Sequence, residues 1–494
     1  MKKNLLIFGF LILVSVAMKA QPVKGLIYTD TTDIVVVKVW GTHQERGYAL
    51  GYLTGDRITD IIMNYTKPAF GAYYNAARNI LLQGNDLLIP DDYKNEAQSI
   101  IDGMNAAGLN PNNLDQTDIL VGNAMLDLSN LLSLKSGLNC SELMSWNDAT
   151  IGTDLEGKSV ISRHLDWNYS PVLNRNHIIT IHFPAESTES KWLLIGFSGM
   201  MSILSGFNTE FGAFQNMMSD YAAGGQHGRN YMPIWFALRK AIESADYNGD
   251  GARNVQDVRS VLADCSNGFA DGFLVSTIAR NNQTDSLVAM VAELTPSAPT
   301  HTYRYNSYPD SIPGDNLYVA NSQIARNNAM HFCSRYNSIR SHIGDGTFIS
   351  LDSNWNLMRD YSHQSINTQL MQFAPEMDYL RISVYRDGHP AYQNDPVVFD
   401  LNDLFNNPVT GIPEREVIST IHCYPNPVKG TLFFNAGIQL PARIEVFDLA
   451  GRIVPGAIQI LNTPQLDVAA LNPGIYFIRL TSESRVTSGR FVKQ

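Results

Sequence analysis

Residues 139–146 read NCSELMSW, and residues 162–167 read SRHLDW. This pattern predicts a strand that begins at Cys140, then a turn, and a second strand that carries Arg163 and ends at Asp166. Arg163 follows the cysteine by 23 residues, and Asp166 follows it by 26. Taken alone, a cysteine in a strand is more often a buried, inert residue than a nucleophile. The surrounding sequence therefore has to decide between these interpretations.

Composition excludes two broad classes of protein. The 494-residue chain has 36 Lys and Arg against 47 Asp and Glu, a net charge of −11, and 44% of its residues are hydrophobic. That apolar fraction is enough to build cores, which excludes general disorder. The acidic excess argues against nucleic-acid binding, which needs a basic surface. At about 100–200 residues per domain, the length predicts two to four structural units.

The pattern of the chain predicts four segments after the leader. Residues 21–139 combine a strand-like run at 33–40 with helical patterns at 91–107 and 117–132. Residues 140–405 carry short β-branched and aromatic runs, typical of strands, and helix-like stretches at 232–244 and 255–262. Residues 406–421 contain prolines and a glycine typical of a linker. In residues 422–494, short runs that alternate between apolar and polar residues predict the strands of a small β-sandwich.

The first twenty residues predict export. Lys2 and Lys3 precede an apolar run at residues 5–16, and Ala20 offers a cleavage point before Gln21. The run is too short to span a bilayer of about 30 Å. No later stretch is long and apolar enough to do so, so we expect an exported chain with no stable membrane span. The pairing of the four cysteines, Cys140, Cys265, Cys333 and Cys423, stays open at this point.

The C-terminal motifs specify a destination. YPNP at 424–427, IEVFDLAGR at 444–452, GIY at 474–476 and GRFVK at 489–493 occur in this order at the end of the chain. Together they resemble the sorting domain of the type IX secretion system. The resemblance implies passage through an outer membrane, followed by attachment to the cell surface or release. It also implies the type IX secretion machinery as a partner.

The cysteine region resembles a family of enzymes. A cysteine at a strand start, followed by Arg-x-x-Asp-Trp at the end of the next strand, is similar to the amino-terminal nucleophile hydrolases of the choloylglycine hydrolase, acid ceramidase and penicillin acyltransferase group. WGTHQERGY at 40–48 and the stretch 96–105 extend the resemblance, which covers roughly residues 30–390. His164 stands where the family commonly has Asn. The resemblance implies an α+β fold, a four-layer αββα sandwich, followed here by the small all-β sandwich domain.

Three further motifs match the same family. GFNTEFG at 206–212 nominates Asn208 for the oxyanion hole. YVANS at 318–322 nominates Asn321 as the second active-site Asn, and CSRY at 333–336 nominates Arg335 as a residue that lines the site. With Cys140, Arg163 and Asp166, these residues complete the catalytic set that the resemblance implies.

The chemistry of that set explains the residue types. A nearby Arg163 would favour the thiolate of Cys140. Cleavage of the Asn139–Cys140 bond would free an α-amine with a pKa of about 7.7–8.0, suited to take the thiol proton. Asp166 would orient that amine, and the amides of two Asn residues would each contribute about 3–4 kcal/mol to oxyanion stabilisation. Residues 21–139 would then be a propiece that folds with the catalytic region and covers the site until autocleavage.

These residues predict a self-processing cysteine amidase that acts on a small-molecule acyl amide and needs no cofactor for catalysis. It would hydrolyse a linear, non-peptide C–N bond or transfer the acyl group. An acyltransferase that uses an amine acceptor and a phospholipase B-like esterase are alternatives within the enzyme class. A non-catalytic surface binding protein on the same fold is the alternative from another class. An uncut Asn139–Cys140 bond, or a disulfide from Cys140 to Cys265 or Cys333, would favour that alternative.

Residues 246–257 have the spacing of a twelve-residue calcium loop. Side-chain oxygens fall at loop positions 1, 3, 5, 9 and 12, with glycine at position 6 and a backbone carbonyl at position 7. Asp at position 12 and Arg253 at position 8 depart from the usual pattern. The spacing predicts a structural Ca²⁺ ion, although an ordinary surface turn rich in Asp, Asn and Gly is the alternative. The predicted ligands are Asp246, Asn248, Asp250, Ala252, Asn254 and Asp257.

Overall fold

The computed structural model describes residues 21–30, 33–134, 139–218, 224–281, 287–305, 312–326, 333–408, 423–434, 440, 442–449, 454, 459–482 and 485–494. The predicted signal peptide, residues 1–20, and most of the predicted linker lie outside these residues. The chain divides into two compact units, one up to Asn406 and one from Asn407.

The first unit contains two large sheets. Its strands are β1 (Gly25–Asp30), β2 (Val35–Gly41), β3 (Asn139–Ser145), β4 (Val160–Asp166), β5 (His177–Pro184), β6 (Trp192–Phe197), β7 (Ser205–Asn208), β8 (Phe211–Met217), β9 (Phe273–Ala279), β10 (Ala289–Leu294), β11 (His301–Arg304), β12 (Asn316–Val319), β13 (Asn367–Ala374), β14 (Tyr379–Val384) and β15 (Val397–Asp400). One sheet has the order β1-β2-β5-β6-β7-β8-β9-β10-β11, and the other has the order β12-β3-β4-β13-β14-β15.

Helices accompany both sheets. They are α1 (His43–Ile61), α2 (Lys67–Phe70), α3 (Tyr74–Gln83), α4 (Asp91–Ala106), α5 (Gln116–Asn123), α6 (Met125–Leu131), α7 (Pro171–Asn174), α8 (Ile234–Glu243), α9 (Val255–Asp264), α10 (Ser334–His342), α11 (Leu351–Tyr361) and α12 (Leu401–Phe405). The single helix predicted over 117–132 is therefore wrong, because it breaks at Ala124. At that point the hydroxyl of Ser202 donates a hydrogen bond to the main-chain carbonyl of Asn123.

Three buried clusters show how these elements pack. In β2, Val36 faces a cluster shared with Met144 of β3 and Phe373 of β13, so the two sheets pack face to face. Val35 and Val37 point the other way, into a cluster built with α1, α4 and α8. A third cluster packs α10 and α11 on the far face of the six-stranded sheet. Side chains alternate between the two faces of a strand, so both faces of these strands are buried.

The segment before Cys140 shares these cores. β1 and β2 belong to the nine-stranded sheet, and α1 packs closely on α4. A Cβ atom at Gly51 would lie 1.9 Å from the carbonyl oxygen of Ile100, and one at Gly103 would lie 2.1 Å from that of Tyr48. Only glycine permits this approach of the two backbones.

The second unit is all β in its described part. Its strands are β16 (Cys423–Tyr424), β17 (Thr431–Phe434), β18 (Ala442–Phe447), β19 (Gln459–Leu461), β20 (Gln465–Asp467), β21 (Gly474–Ser482) and β22 (Arg485–Lys493). They form sheets with the orders β16-β17-β20 and β19-β18-β21-β22 around their own apolar core. The mixture of helices and several sheets, with a small all-β C-terminal region, confirms the coarse prediction of fold class.

Candidate active site around Cys140

Strand register brings the candidate residues to one end of the six-stranded sheet. Cys140 lies opposite Leu165 of β4, so Asp166 lies one residue further along that strand. On the other side of β3, Glu142 lies opposite Val319 of β12. Asn321, two residues after the end of β12, therefore lies next to Cys140.

The backbone and the sulfur of Cys140 both have polar partners. Its N–H donates to Oδ1 of Asn321 at 3.2 Å, and its carbonyl accepts from Nη1 of Arg335 at 3.0 Å. Nη2 of Arg163 donates to the sulfur at 3.4 Å. Burial raises the pKa of the thiol to about 12, although the charge of Arg163 opposes this shift. The thiol is therefore protonated in the uncut chain, and it needs a base before it can act as a nucleophile.

Arg163 lies between the two sheets. Its Nη1 donates to the hydroxyl of Ser205 at 2.6 Å, and its Nη2 donates to the carbonyl of Gln215 at 2.8 Å. Its Nε donates to Oε1 of Glu142 at 2.8 Å. All of these groups are fully buried. The guanidinium thus has a fixed position, with one nitrogen at the cysteine sulfur.

Asp166 and Arg335 complete the group around the cysteine. Nη1 of Arg335, in the first turn of α10, lies 3.3 Å from Oδ2 of Asp166, and its Nη2 donates to Oδ1 of Asn321 at 2.6 Å. Nδ2 of Asn367 donates to the other oxygen of Asp166 at 3.0 Å. Burial raises the pKa of Asp166 to about 7, against the opposing charge of Arg335. The structure therefore brings Cys140, Arg163, Asp166, Asn321 and Arg335 together.

Among the described contacts, none joins Asn208 to this group, so its role in the oxyanion hole stays a prediction. It ends β7, three residues beyond the Ser205 that contacts Arg163. At about 3.3 Å per residue, it lies near the opposite end of that strand. Its Oδ1 accepts from the N–H groups of Glu210 and Phe211, and its Nδ2 donates to the carbonyl of Ile242. Its amide holds the β7–β8 turn instead.

Glu142 is a member of the site that the sequence analysis passed over. It lies two residues beyond the cysteine, on the same face of β3, and it is fully buried. That alternation was the available signal, because a carboxylate at an inward position of a buried strand needs a charged partner. His164, by contrast, points away: it is buried, contacts the carbonyl of Met358 at 2.9 Å, and burial lowers its pKa to about 3.

An apolar cavity lies next to this group. Trp167, directly after Asp166, lines it together with Trp235, whose indole N–H donates to the side chain of Gln215. The enclosed space is about 40 Å³. Ile61 and Met125, from the segment before the cysteine, form part of the same wall. The cavity is therefore built jointly by the segments on either side of Cys140.

A second buried cluster of charges connects the same two segments. Nδ1 of His43 contacts Glu96 at 2.6 Å, and its Nε2 contacts Glu189 at 2.6 Å. Arg239 pairs with both Glu96 and Glu243. Ligand-type atoms of His43, Glu189 and Glu243 lie within 4.8 Å of one another, which makes them a possible metal set among the described residues. Each already has an ion-pair partner, so a salt-bridge network holds the cluster together.

The first half of the predicted calcium loop is preorganised. The carboxylate of Asp246 accepts from the N–H groups of Gly249 and Gly251, at 2.8 and 2.9 Å. Both glycines have positive φ angles, of 73° and 85°. Asn248 donates to Asp250 at 2.8 Å, so three predicted ligands lie together. This half of the loop fits a hard cation that prefers oxygen ligands.

The predicted ligand side chains in the second half of the loop already accept hydrogen bonds from main-chain N–H groups. The buried carboxylate of Asp257 accepts from the N–H groups of Tyr247 and Asn254, at 2.7 and 2.9 Å. The side chain of Asn254 caps α9 by accepting from the N–H of Gln256. Ala252 would supply its carbonyl. A bound ion would have to share or replace these hydrogen bonds.

Comparison with known proteins identifies the C-terminal region. Residues 422–494 match the secretion system C-terminal sorting domain. The chain is thus exported by the type IX secretion system to the cell surface or released, as its C-terminal motifs predicted. Protein dcd1B of Dictyostelium discoideum is 20% identical over 254 residues, 45% of this chain and 46% of that protein. The chain therefore spans just under half the length of this curated relative.

Within the described residues, none of the helices has the length and apolar character needed to cross a membrane.

Proposed function

We propose that this chain is an exported, self-processing cysteine amidase of the amino-terminal nucleophile type. The observation that carries the proposal is the convergence of Arg163, Asp166, Asn321 and Arg335 on the N–H, carbonyl and sulfur of Cys140. These residues come from distant parts of the sequence, and each contacts an atom of the cysteine or a partner of that atom. The packing order of helices, sheet, sheet and helices supports the four-layer αββα sandwich that the proposal requires.

Self-processing would use the thiol once on its own chain. The sulfur of Cys140 attacks the carbonyl carbon of Asn139, and the peptide nitrogen leaves with the thiol proton as a free α-amine. Water then splits the thioester, which yields a carboxylate on Asn139 and restores the thiol. Oδ1 of Asn321, which already accepts from the N–H of Cys140, would keep the new amine in place.

In turnover, the α-amine would take the thiol proton, and the thiolate would attack the carbonyl of the acyl amide. The amide nitrogen of Asn321 donates one N–H to the carbonyl of Met217 at 2.8 Å, and its second N–H would donate to the oxyanion. The protonated amine then passes its proton to the leaving nitrogen. Water hydrolyses the thioester and releases the acid.

The apolar cavity supports a short apolar acyl group. The wall that Trp167 and Trp235 share with Ile61 and Met125 is mostly apolar, and it begins one residue from Asp166. Its volume of about 40 Å³ limits the size of the group, since a cavity of about 150 Å³ is what holds benzene. Trp146 and Phe207, the other aromatic residues near the motifs, pack between the two sheets instead.

The alternative functions differ from the amidase in the acceptor of the acyl group, in the substrate, or in whether a nucleophile is needed. Transfer to an added amine would indicate the acyltransferase, and hydrolysis of acyl esters in preference to amides would indicate the phospholipase B-like esterase. Cys140, Cys265 and Cys333 are free thiols. The disulfide that would favour a non-catalytic binding protein is therefore not formed, which supports the enzyme.

The experiment is a hydrolysis assay on acyl p-nitroanilides of increasing chain length, with and without an added amine. Wild-type protein should release p-nitroaniline, and Cys140→Ala should release none above background. Cys265→Ala is the matched control, since Cys265 is also a free thiol but directly follows α9, outside the group around Cys140, and it should retain wild-type activity. Equal rates in the wild type and Cys140→Ala would contradict the proposal.

For the loop at 246–257, we propose a structural Ca²⁺ ion. What supports it is the grouping of Asp246, Asn248 and Asp250 around a turn whose glycines have positive φ angles. The ion would supply charge compensation for these carboxylates and no catalytic chemistry.

A further inference from the structure

Glu142 and Arg163 form a buried charged pair between the two sheets. They lie opposite each other on β3 and β4, and their side chains point toward the nine-stranded sheet. Nε of Arg163 donates to Oε1 of Glu142 at 2.8 Å, and both side chains are fully buried. A buried pair of this kind contributes little net stability, because desolvation offsets the attraction between the charges. Its presence two residues from the cysteine therefore needs an explanation other than stability.

The other oxygen of Glu142 is anchored to the opposite sheet. Its Oε2 accepts from Nδ2 of Asn216 at 2.6 Å and from the hydroxyl of Ser276 at 3.3 Å. Asn216 also donates to the carbonyl of Ala320, next to Asn321. The carboxylate is thus held from β8 and β9, and it has no freedom to follow a movement of Arg163.

We propose that Glu142 is a positioning residue that fixes the Arg163 guanidinium so that its Nη2 reaches the sulfur of Cys140. The inference rests on the proposed role of Cys140 as the nucleophile. Glu142 itself touches neither the sulfur nor the backbone of Cys140 among the contacts described. It acts through Arg163, and its negative charge partly offsets the effect of Arg163 on the thiolate.

The groups that face Glu142 are few. They are Arg163 and Asp166 from β4, Cys140 from its own strand, Asn216 from β8 and Ser276 from β9. Burial raises the pKa of Glu142 to about 7, against the opposing charge of Arg163. Its charge therefore changes close to neutral pH, where the nucleophile must act.

The test measures the reactivity of Cys140 itself in the processed, full-length protein. Iodoacetamide alkylates the thiolate with loss of iodide, and mass spectrometry of the peptide that contains Cys140 separates it from the other cysteines. The rate is recorded as a function of pH for the wild type, Glu142→Gln, Glu142→Asp and the control Glu293→Gln. Glu293 is also a fully buried glutamate that faces an arginine, Arg304, and it contacts neither Arg163 nor Cys140.

Glu142→Gln should lower the midpoint of the pH profile by about one unit, because a like charge is removed while an oxygen acceptor for Arg163 is kept. Glu142→Asp should raise the midpoint, because the shorter side chain draws the guanidinium away from the sulfur. The Glu293→Gln profile should match the wild type. If Glu142→Gln does not fold, an unshifted midpoint in Glu142→Asp overturns the inference, as does an unshifted midpoint in a folded Glu142→Gln.

Failure of the proposed function and failure of the inference about Glu142 would give different results. A wild-type chain that is never cut at Asn139–Cys140, or whose Cys140 does not react, contradicts the proposed function and removes the inference with it. A processed, reactive wild type whose midpoint is the same in both Glu142 variants contradicts the inference alone.

Discussion

The main-chain N–H of Cys140 donates to the side-chain oxygen of Asn321 across 3.2 Å, between the start of one strand and the chain that leaves its neighbour. Asn321 also donates its own amide N–H to the carbonyl of Met217. The side chain of Asn321 therefore holds the nitrogen that would become the α-amine. The described contacts of Asn208, the other Asn that the sequence nominated, do not include Cys140.

Because their contacts differ, alanine substitutions of Asn321 and Asn208 should have different effects. Asn321→Ala should reduce acyl-amide hydrolysis by about a hundredfold or more, as expected for loss of an oxyanion donor. Asn208→Ala should leave the rate per folded molecule within about threefold. It should lower the free energy of unfolding by about 1–3 kcal/mol, because two backbone N–H groups of the turn lose their acceptor. Rates and urea unfolding curves of both variants decide the matter, and a large rate loss in Asn208→Ala would restore it to the site.

The two products of self-cleavage should remain together. β1 and β2 belong to the nine-stranded sheet, and β2 and α1 share the largest core with strands and helices that follow the cysteine. The network from His43 and Glu96 to Glu189 and Arg239 crosses the same boundary. Gel filtration without denaturant should give one species that contains both fragments, and a denaturing gel should separate them. Elution of the chain from Cys140 on its own would show that the earlier segment is only a removable cover.

The stability of the chain should depend on pH through His43. Burial alone lowers the pKa of His43, but hydrogen bonds to the Glu189 and Glu96 carboxylates outweigh it and raise the pKa to about 9. Because this value exceeds the unfolded pKa of about 6.5, the stabilisation is complete below pH 6.5 and is lost as the pH rises through 9. The contribution is up to about 3 kcal/mol.

Urea unfolding at pH 6.5, 8 and 9 measures this effect. The wild type should lose stability across the range, and His43→Gln should show a much smaller slope. His227→Gln, at an exposed histidine paired with Asp86, is the control and should keep the wild-type slope. Equal slopes for the wild type and His43→Gln would mean that the network does not hold a proton on His43.

The calcium proposal predicts a thermal shift. Addition of 1 mM Ca²⁺ after EDTA treatment should raise the Tm by at least about 2 °C, because an ion that binds only the folded state stabilises it. Asp250→Asn should weaken this shift, whereas Asp345→Asn, in another exposed loop, should preserve it. An unchanged Tm in the wild type would leave the loop as a turn held by Asp246 and Asp257 alone.

Sequence patterns located some parts of the site better than others. The family resemblance nominated Cys140, Arg163 and Asp166, and they lie close together because their two strands are consecutive in the chain and pair directly. The sequence could not show what the Asn208 amide contacts, because a Gly-Phe-Asn turn looks the same whether its amide faces a substrate or holds the hairpin. In the fold, that amide donates to the main-chain carbonyl of Ile242. Glu142 was missed because the resemblance assigned it no role, although it lies opposite Arg163 on the same pair of strands.

The most direct test of the central claim is amino-terminal sequencing, with intact mass, of the exported protein and of Cys140→Ala. The account predicts a new chain that begins at Cys140 in the wild type and an uncut Asn139–Cys140 bond in the variant. An uncut bond in both would remove the free α-amine and contradict the proposed mechanism. A cut at this bond in both would show that another protease makes it.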